Sequence, residues 1–583
     1  MGSVIMSDRL MTPHEDALRK HRTEGEVVSR RCVRPKIEVN RSAPPKTTRA
    51  TPFESLSMQD HRTPAAPFFS KPRLASAALG ALGLLALPGL GCSSEAGDFG
   101  GEGGNDGSSL GSGVGQGGAQ DFGLFREILL EGGIPGPETI DDLGFFAEHQ
   151  IEMPAPNCGE DVCIHGMLGV MGNMISGSNC TVVLVGMNTP IDANAVERPP
   201  LNLTIAVDLS GSMAGEPLYR VREGLLRMRN SLQPEDRVSL VGFGDEAKLI
   251  VEHVAGDSVE LATAIAGLET AGSTNIYAGL RAAFETVQAH AQAGYQNRVV
   301  MVSDGMATVG ITSSEKIEGL ATAWGDLGLG LTTIGLGDDF DVELMRTLAE
   351  VGSGSFYYIE DYAAVEEVFE EEVQAFVIPL AQDVTIDATV FEGYDLRRIY
   401  GTKQAEVWGN HGHIDIPILQ IAHRMSDDDN ENGRRGGGGA MILELTPTGD
   451  DPGEVGRIEF EYQVPGSDEI IEQVVEVQSP LGPWETPENG WFSDASVEKG
   501  FVMLNLYVAF EMAATRASVG DDAGALSILR PLALSVEEWL AATPDADIED
   551  DLFYVYRFIE NLEARGSVTN SPNPVPPEPW PAD

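Results

Sequence analysis

The sequence is poor in positive charge. Lys and Arg number 38 against 90 Asp and Glu, a formal net charge of −52 over 583 residues. Residues 1–92 hold 14 of the basic and 8 of the acidic residues, which leaves 24 and 82 for the rest. Such an acidic body repels nucleic acid and anionic lipid surfaces, so no nucleic-acid partner is expected. It attracts cations, divalent metals included. Cysteine is also scarce. The five present, Cys32, Cys92, Cys158, Cys163 and Cys180, form no CxxC pair and no zinc spacing. Cys158, Cys163 and Cys180 lie close together, so export would favour one disulfide among them with one thiol left over. No HExxH or GxxxxGK followed by Ser or Thr occurs, which removes the sequence support for the chemistries those motifs serve. No run after Cys92 is long and apolar enough to span a bilayer.

What is present fits a folded chain of several units. Hydrophobic residues make up 42% and charged residues 22%, and the length points to three or four domains. Residues 74–91, LASAALGALGLLALPGLG, form an apolar run after Lys71 and Arg73, with Gly91 and Cys92 at its end. This order resembles a bacterial lipoprotein signal, in which Cys92 becomes the lipidated first residue. A transmembrane anchor is the alternative, disfavoured by the run's shortness, Pro88 and its glycines. Residues 58–92 are therefore expected to be the signal region, with translation starting at Met58 and 1–57 a disordered or artefactual prefix. The Gly/Ser-rich stretch at 93–120 reads as a flexible tether.

A strand-like run, LNLTIAVD (201–208), leads directly into DLSGSMAG, and an amphipathic helix follows. Asp208, Ser210 and Ser212 therefore occupy a strand-to-helix loop, at the carboxyl end of a strand where open α/β sheets bind ligands. Strands and helices then alternate. DRVSLVGF (236–243), NRVVMVSDG (297–305), LGLTTIGLG (329–337) and GSFYYIED (354–361) read as strands, and KLIVEHV (248–254) as an antiparallel edge strand. Helices are expected at 258–268, in the later part of 271–290, at 342–351 and at 363–377. That alternation predicts βαβ units and a mainly parallel sheet covered on both faces.

DLSGS at 208–212, GSTNIYAGL with Thr274, and VSDG with Asp304 together resemble the von Willebrand factor type A (VWA) family over about 199–378. The resemblance implies a Rossmann-like, doubly wound α/β fold and a metal-ion-dependent adhesion site. In that site Ser210, Ser212 and Thr274 would offer hydroxyl oxygens, and Asp208 and Asp304 would bind directly or through water. The donor chemistry agrees: Mg²⁺, or Ca²⁺ or Mn²⁺, wants oxygen ligands, and three neutral hydroxyls with two carboxylates leave its charge partly unquenched. An open position then suits a carboxylate from a protein partner. DxSxS alone is more often a polar helix cap; Thr274 and Asp304 in chain order make the metal reading specific.

The segment FREILLEGGIPGPETIDDLGFFAEH (125–149), within an extension spanning 121–198, looks like the front of a bacterial subfamily of VWA lipoproteins. Members carry a chloride-channel-like label that implies nothing for this chain. Residues 379–480 alternate apolar and polar side chains and predict an added β-rich domain. Residues 481–566 predict three helices, and 567–583 form a Pro-rich tail.

Other candidates read as ordinary surface. Asp428, Asn430, Asn432 and Gly433 resemble a calcium loop, but Gly439 stands where the twelfth ligand belongs. His411 and His413 form HxH without an evident third ligand. GLGDDF (335–340) lacks the third glycine of a dinucleotide fingerprint and reads as a turn, and Glu370, Glu371 and Glu372 read as a solvated helix face. The sequence thus predicts a non-enzymatic lipoprotein of the bacterial cell envelope, attached to the outer membrane by lipid alone, that binds an acidic side chain of a partner protein through a divalent cation. A metal-dependent hydrolase and a scaffold stiffened by its metal are the alternatives.

Overall fold

The structure is a computed structural model that describes residues 112–566, except 117, 120–121, 192–197, 293, 326, 338–339, 360–367, 370–378, 403–404, 422–438 and 450–452. The prefix, the signal region with Cys92, most of the tether, the loop with Asp428, most of the helix expected at 363–377 and the Pro-rich tail lie outside the described residues.

A seven-stranded sheet forms one part of the molecule. Its order is Gly118–Ala119, Ser355–Ile359, Gly330–Leu336, Gln296–Ser303, Leu201–Asp208, Arg237–Phe243 and Ala247–Ala255. All neighbours are parallel except the last pair, which is antiparallel as expected for an edge. All eight residues of Leu201–Asp208 are buried, which is why the run reads as continuously apolar rather than alternating. Helices cover both faces. Leu218, Val221 and Leu225 of Glu216–Ser231 pack on one face. Phe284 of Ile276–Ala289 and Leu348 of Val342–Val351 pack on the other. Asn275 and Asp341 cap these last two helices by accepting the amides of Ala278 and Leu344. The helix Ser314–Gly325, which the sequence reading left unassigned, buries only Ile317 and Ala321, too thin a stripe for a periodic signal.

The β-rich part differs from expectation in its extent. Eleven strands join by backbone hydrogen bonds, and the segment expected to be a separate extension supplies two of the longest, Cys163–Gly172 and Asn179–Thr189. These pair with each other, and the second pairs with Ala440–Pro447. The seven-stranded unit is therefore inserted between strands of one β structure. The end of the expected tether is ordered too. Ser112–Gly115 hydrogen-bonds to Asn179–Thr189 on one side and to His411–Ile421 on the other. Gly118–Ala119 then crosses to become the seventh strand of the parallel sheet. Backbone pairing here overrides a composition that predicts flexibility.

Three helices, Ala495–Ser518, Asp522–Ala542 and Ala546–Ala564, complete the fold, each capped by an Asp one residue before it. The first buries residues all round, and packs with the extension's Phe122, Phe125, Phe145 and Phe146. No described helix is long and apolar enough to cross a membrane.

The segment 141–149 fastens these parts together. Asp141 pairs with Arg346 of the parallel-sheet unit. Asp142 Oδ2 accepts the Gly401 amide of the β structure at 2.8 Å. His149 bridges Phe145 O at 2.6 Å and Asp551 Oδ2 of the last helix at 2.8 Å. Glu148 is fully buried against Arg126 at 2.6 Å. Cys158 and Cys163 form a disulfide, and Cys180 is buried outside it.

Candidate metal site

The site lies where the chain reverses its direction of travel across the parallel sheet. From Leu201–Asp208 the chain proceeds to Arg237–Phe243 on one side, and the neighbour on the other side is Gln296–Ser303. The loops leaving two adjacent parallel strands diverge at such a point and open a crevice. One loop carries Asp208, Ser210 and Ser212; the other carries Asp304.

Asp208 ends its strand fully buried. Its Oδ1 accepts the Ser210 amide at 2.8 Å and its Oδ2 accepts the Ser303 hydroxyl at 2.6 Å. Burial is the largest influence on this carboxyl and pushes it above its usual range, while the Ser303 and Ser210 bonds pull the other way. Among the described residues no Lys or Arg pairs with Asp208. A buried carboxylate held by hydrogen bonds, with no cation beside it, is the electrostatic setting in which a metal ion is favoured.

Ser210 Oγ lies 3.0 Å from Ser212 Oγ, and Ser212 Oγ donates to Asp304 Oδ1 at 2.9 Å. Adjacent oxygens of an octahedron with metal–oxygen bonds of about 2.0–2.1 Å are about 3 Å apart. The three oxygens are therefore already spaced as neighbours in a hard-cation shell.

Thr274 is brought to the same place by its own loop. Gly211 N donates to Gly272 O at 3.1 Å and Ala271 N to Leu209 O at 2.6 Å, which ties the two loops together. Gly244 permits the approach, since a Cβ there would sit 2.3 Å from Ala271 O. Gly272 turns at φ +85°, a conformation that favours glycine. The Thr274 amide donates to Thr308 Oγ1 at 3.0 Å, and Thr308 N returns a bond to Thr274 O at 2.9 Å. A Cβ on Gly305 would lie 3.4 Å from Thr274 Oγ1 and 3.8 Å from Ser212 Oγ, so those hydroxyls are within about 7 Å of each other. All five residues singled out in the sequence thus converge, Asp208, Ser210 and Thr274 buried, Ser212 exposed and Asp304 partly exposed.

The supporting residues were not singled out in the sequence. Ser303 holds Asp208, Thr308 holds Thr274, and Asp245 accepts the Ser273 amide at 3.0 Å. Ser303 lies inside the VSDG run and offered a signal; Thr308 and Asp245 sit in loops and offered none. Among the described residues no group of three or more His, Cys, Asp or Glu could hold a metal. The donors gathered here, three hydroxyls and two carboxylates, are all oxygens, the ligand type of hard cations. His411 and His413 are placed otherwise: His413 Nδ1 bonds Asp387 Oδ1 at 2.7 Å, and His411 Nδ1 lies 3.2 Å from Thr389 Oγ1.

A family model described as the von Willebrand factor type A domain matches residues 202–371. Protein YfbK of Escherichia coli (strain K12) is 29% identical over 196 residues, which cover 33% of this chain and 34% of that protein. The chain therefore spans about a third of that relative's length. Protein sll0103 of Synechocystis sp. is 25% identical over 372 residues, covering 58% of this chain and 78% of that protein. A solved von Willebrand factor type A protein from Catenulispora acidiphila superposes with a TM-score of 0.43 at 13% identity, covering 68% of this chain and 89% of that one.

Proposed function

Residues 202–371 being a von Willebrand factor type A domain, a fold that commonly binds a divalent metal for protein interaction, we propose that this protein grips a carboxylate of a partner protein through a divalent cation, Mg²⁺ before Ca²⁺ or Mn²⁺. Ser210, Ser212 and Thr274 would hold the ion through hydroxyls, with Asp208 and Asp304 binding directly or through water. The ion supplies an electrophilic position that an Asp or Glu side chain can fill. The observation that carries this reading is the chain of oxygens from Ser210 through Ser212 to Asp304, with separations of 3.0 and 2.9 Å.

The surrounding surface supports a protein partner. Met306, two residues beyond Asp304, and Tyr219, in the helix that follows the Asp208 loop, are 58% and 56% exposed. Exposed apolar and aromatic side chains around an ionic centre suit docking of another protein. A hydrolase is the less favoured reading: the carboxylates at the site, Asp208, Asp304 and Asp245, accept hydrogen bonds from Ser303, Ser212 and Ser273 and are arranged around a place for an ion. On this reading the protein acts as a binding module rather than as an enzyme. Its place is the bacterial cell envelope, anchored through lipid on Cys92 to the outer membrane. The disulfide between Cys158 and Cys163 supports an oxidising compartment.

The test is capture of envelope proteins by the full chain. With Mg²⁺ present, a partner is retained, and chelator or Asp208→Ala releases it. Capture indifferent to both would overturn the metal-mediated reading. Radiolabelled palmitate should enter the wild type and not Cys92→Ala.

A further inference from the structure

Beside the metal loops, the extension and the parallel-sheet unit enclose a groove of about 600 Å³. One wall is the helix Gly123–Leu130 and the other is the start of Val342–Val351. Met306 also lines the groove. It lies two residues beyond Asp304, and two residues of chain reach at most about 7 Å, so the groove opens next to the metal site.

The groove's chemistry is mixed and one-sided. Leu124, Ile128 and Phe340 give it an apolar floor, while Glu131, Glu138 and Glu343 stand around it. No Lys or Arg lines it. Arg346, on the same helix as Glu343, is committed to Asp141. Negative charge gathers on this side: the Glu318 carboxyl is raised by burial first, then by Glu343, Glu315 and Asp341.

We propose that this groove docks the part of the partner flanking its metal-bound carboxylate, and that this flank is apolar and basic, with Leu-like side chains interspersed with Lys or Arg. The inference rests on the metal-dependent reading above and names the partner's chemistry. It resolves a conflict in that reading. A chain of net charge −52 repels an acidic ligand at range, and a basic flank turns the encounter into an attractive one. The apolar floor then rewards only a segment with side chains to bury, and unbranched Met306 adapts to its shape.

The test uses fluorescent peptides carrying one Asp followed by alternating Leu and Lys, or alternating Leu and Glu, titrated with the full chain by anisotropy in Mg²⁺. The Lys peptide binds at least tenfold tighter, and its affinity falls with added salt. The exposed rim variant Glu131→Lys/Glu343→Lys reverses the preference while Mg²⁺ dependence persists. Equal affinity for the two peptides, no binding of either at millimolar concentration, or a preference unmoved by the rim variant overturns the groove assignment. So would self-association of the wild type that the rim variant abolishes, because the occupant would then be a second copy. If chelator changes nothing but the Lys preference and its reversal hold, the groove stands and the metal reading fails.

Discussion

The Ser212 hydroxyl donates to Asp304 Oδ1 across 2.9 Å although 92 residues separate them. The bond joins the two loops that leave adjacent parallel strands, and it fixes Ser212 Oγ beside both Ser210 Oγ and a carboxylate. A cation entering there meets oxygens already gathered, so little loop ordering opposes binding. Asp304→Asn keeps the shape and removes the charge. It should weaken Mg²⁺ binding by about 10–100-fold, the range seen when a metal's supporting groups are altered, with little change in thermal midpoint without metal. Calorimetric titration of the two proteins checks this.

Asp141 and Arg346 carry a second relation, between the extension and the inserted unit. Both side chains are nearly buried, at 4% and 10% exposure. Arg346→Met alone leaves the Asp141 charge buried without its partner and should cost about 3–5 kcal/mol. Asp141→Leu/Arg346→Met should recover part of that loss, because no charge is then left buried alone, although the Asp141 cap on the Gly144 amide is given up as well. Denaturant unfolding of the single and double variants measures both numbers.

The disulfide closes a short loop, with a sequence separation of 5 between Cys158 and Cys163. Loop-closure entropy for so small a ring gives about 2 kcal/mol. Reduction, or Cys158→Ser/Cys163→Ser, should lower stability by about that much and leave Mg²⁺ affinity unchanged. Buried Cys180 should react with a thiol reagent only on unfolding. Denaturation and thiol titration in parallel report on both.

Much of the site was legible because its residues follow strands whose burial is written as apolar runs. LNLTIAVD ends in Asp208 and the VSDG run contains Asp304, so each carboxylate is placed by the strand before it. Thr274 needed the family pattern, because its loop follows the edge strand and a short helix and no periodicity points to it. The β structure was read less well. Cys163–Gly172 and Asn179–Thr189 are apolar along most of their lengths and interrupted by glycine, so they lack the period-two alternation that identifies 379–480. Ser112–Gly115 reads as tether, since SGVG carries no side-chain signal and its order comes from backbone bonds to two remote strands. The buried pairs of 141–149 join residues up to 402 positions apart, and nothing local specifies such partners.

His413 provides a pH prediction. Its hydrogen bond to Asp387 is the largest influence and raises its pKa, with Asp387 and Asp415 adding attraction and burial opposing. The group binds its proton more tightly in the folded state. Its stabilising contribution is therefore complete below the unfolded value, near pH 6.5, and is lost as pH rises through the raised folded value. His413→Gln should remove this part of the pH dependence. Titration of the His413 ring resonances by NMR should give a midpoint above 6.5 in the wild type and a lower one in Asp387→Asn.

Locating the cation tests the central claim most directly. Crystals of the full chain grown with Mn²⁺ should give one anomalous peak at the end of Leu201–Asp208, with Ser210 Oγ, Ser212 Oγ and Thr274 Oγ1 at about 2.1–2.2 Å and Asp208 and Asp304 bound directly or through water. No peak there, or a peak that leaves Thr274 or both serines outside coordination, would contradict it.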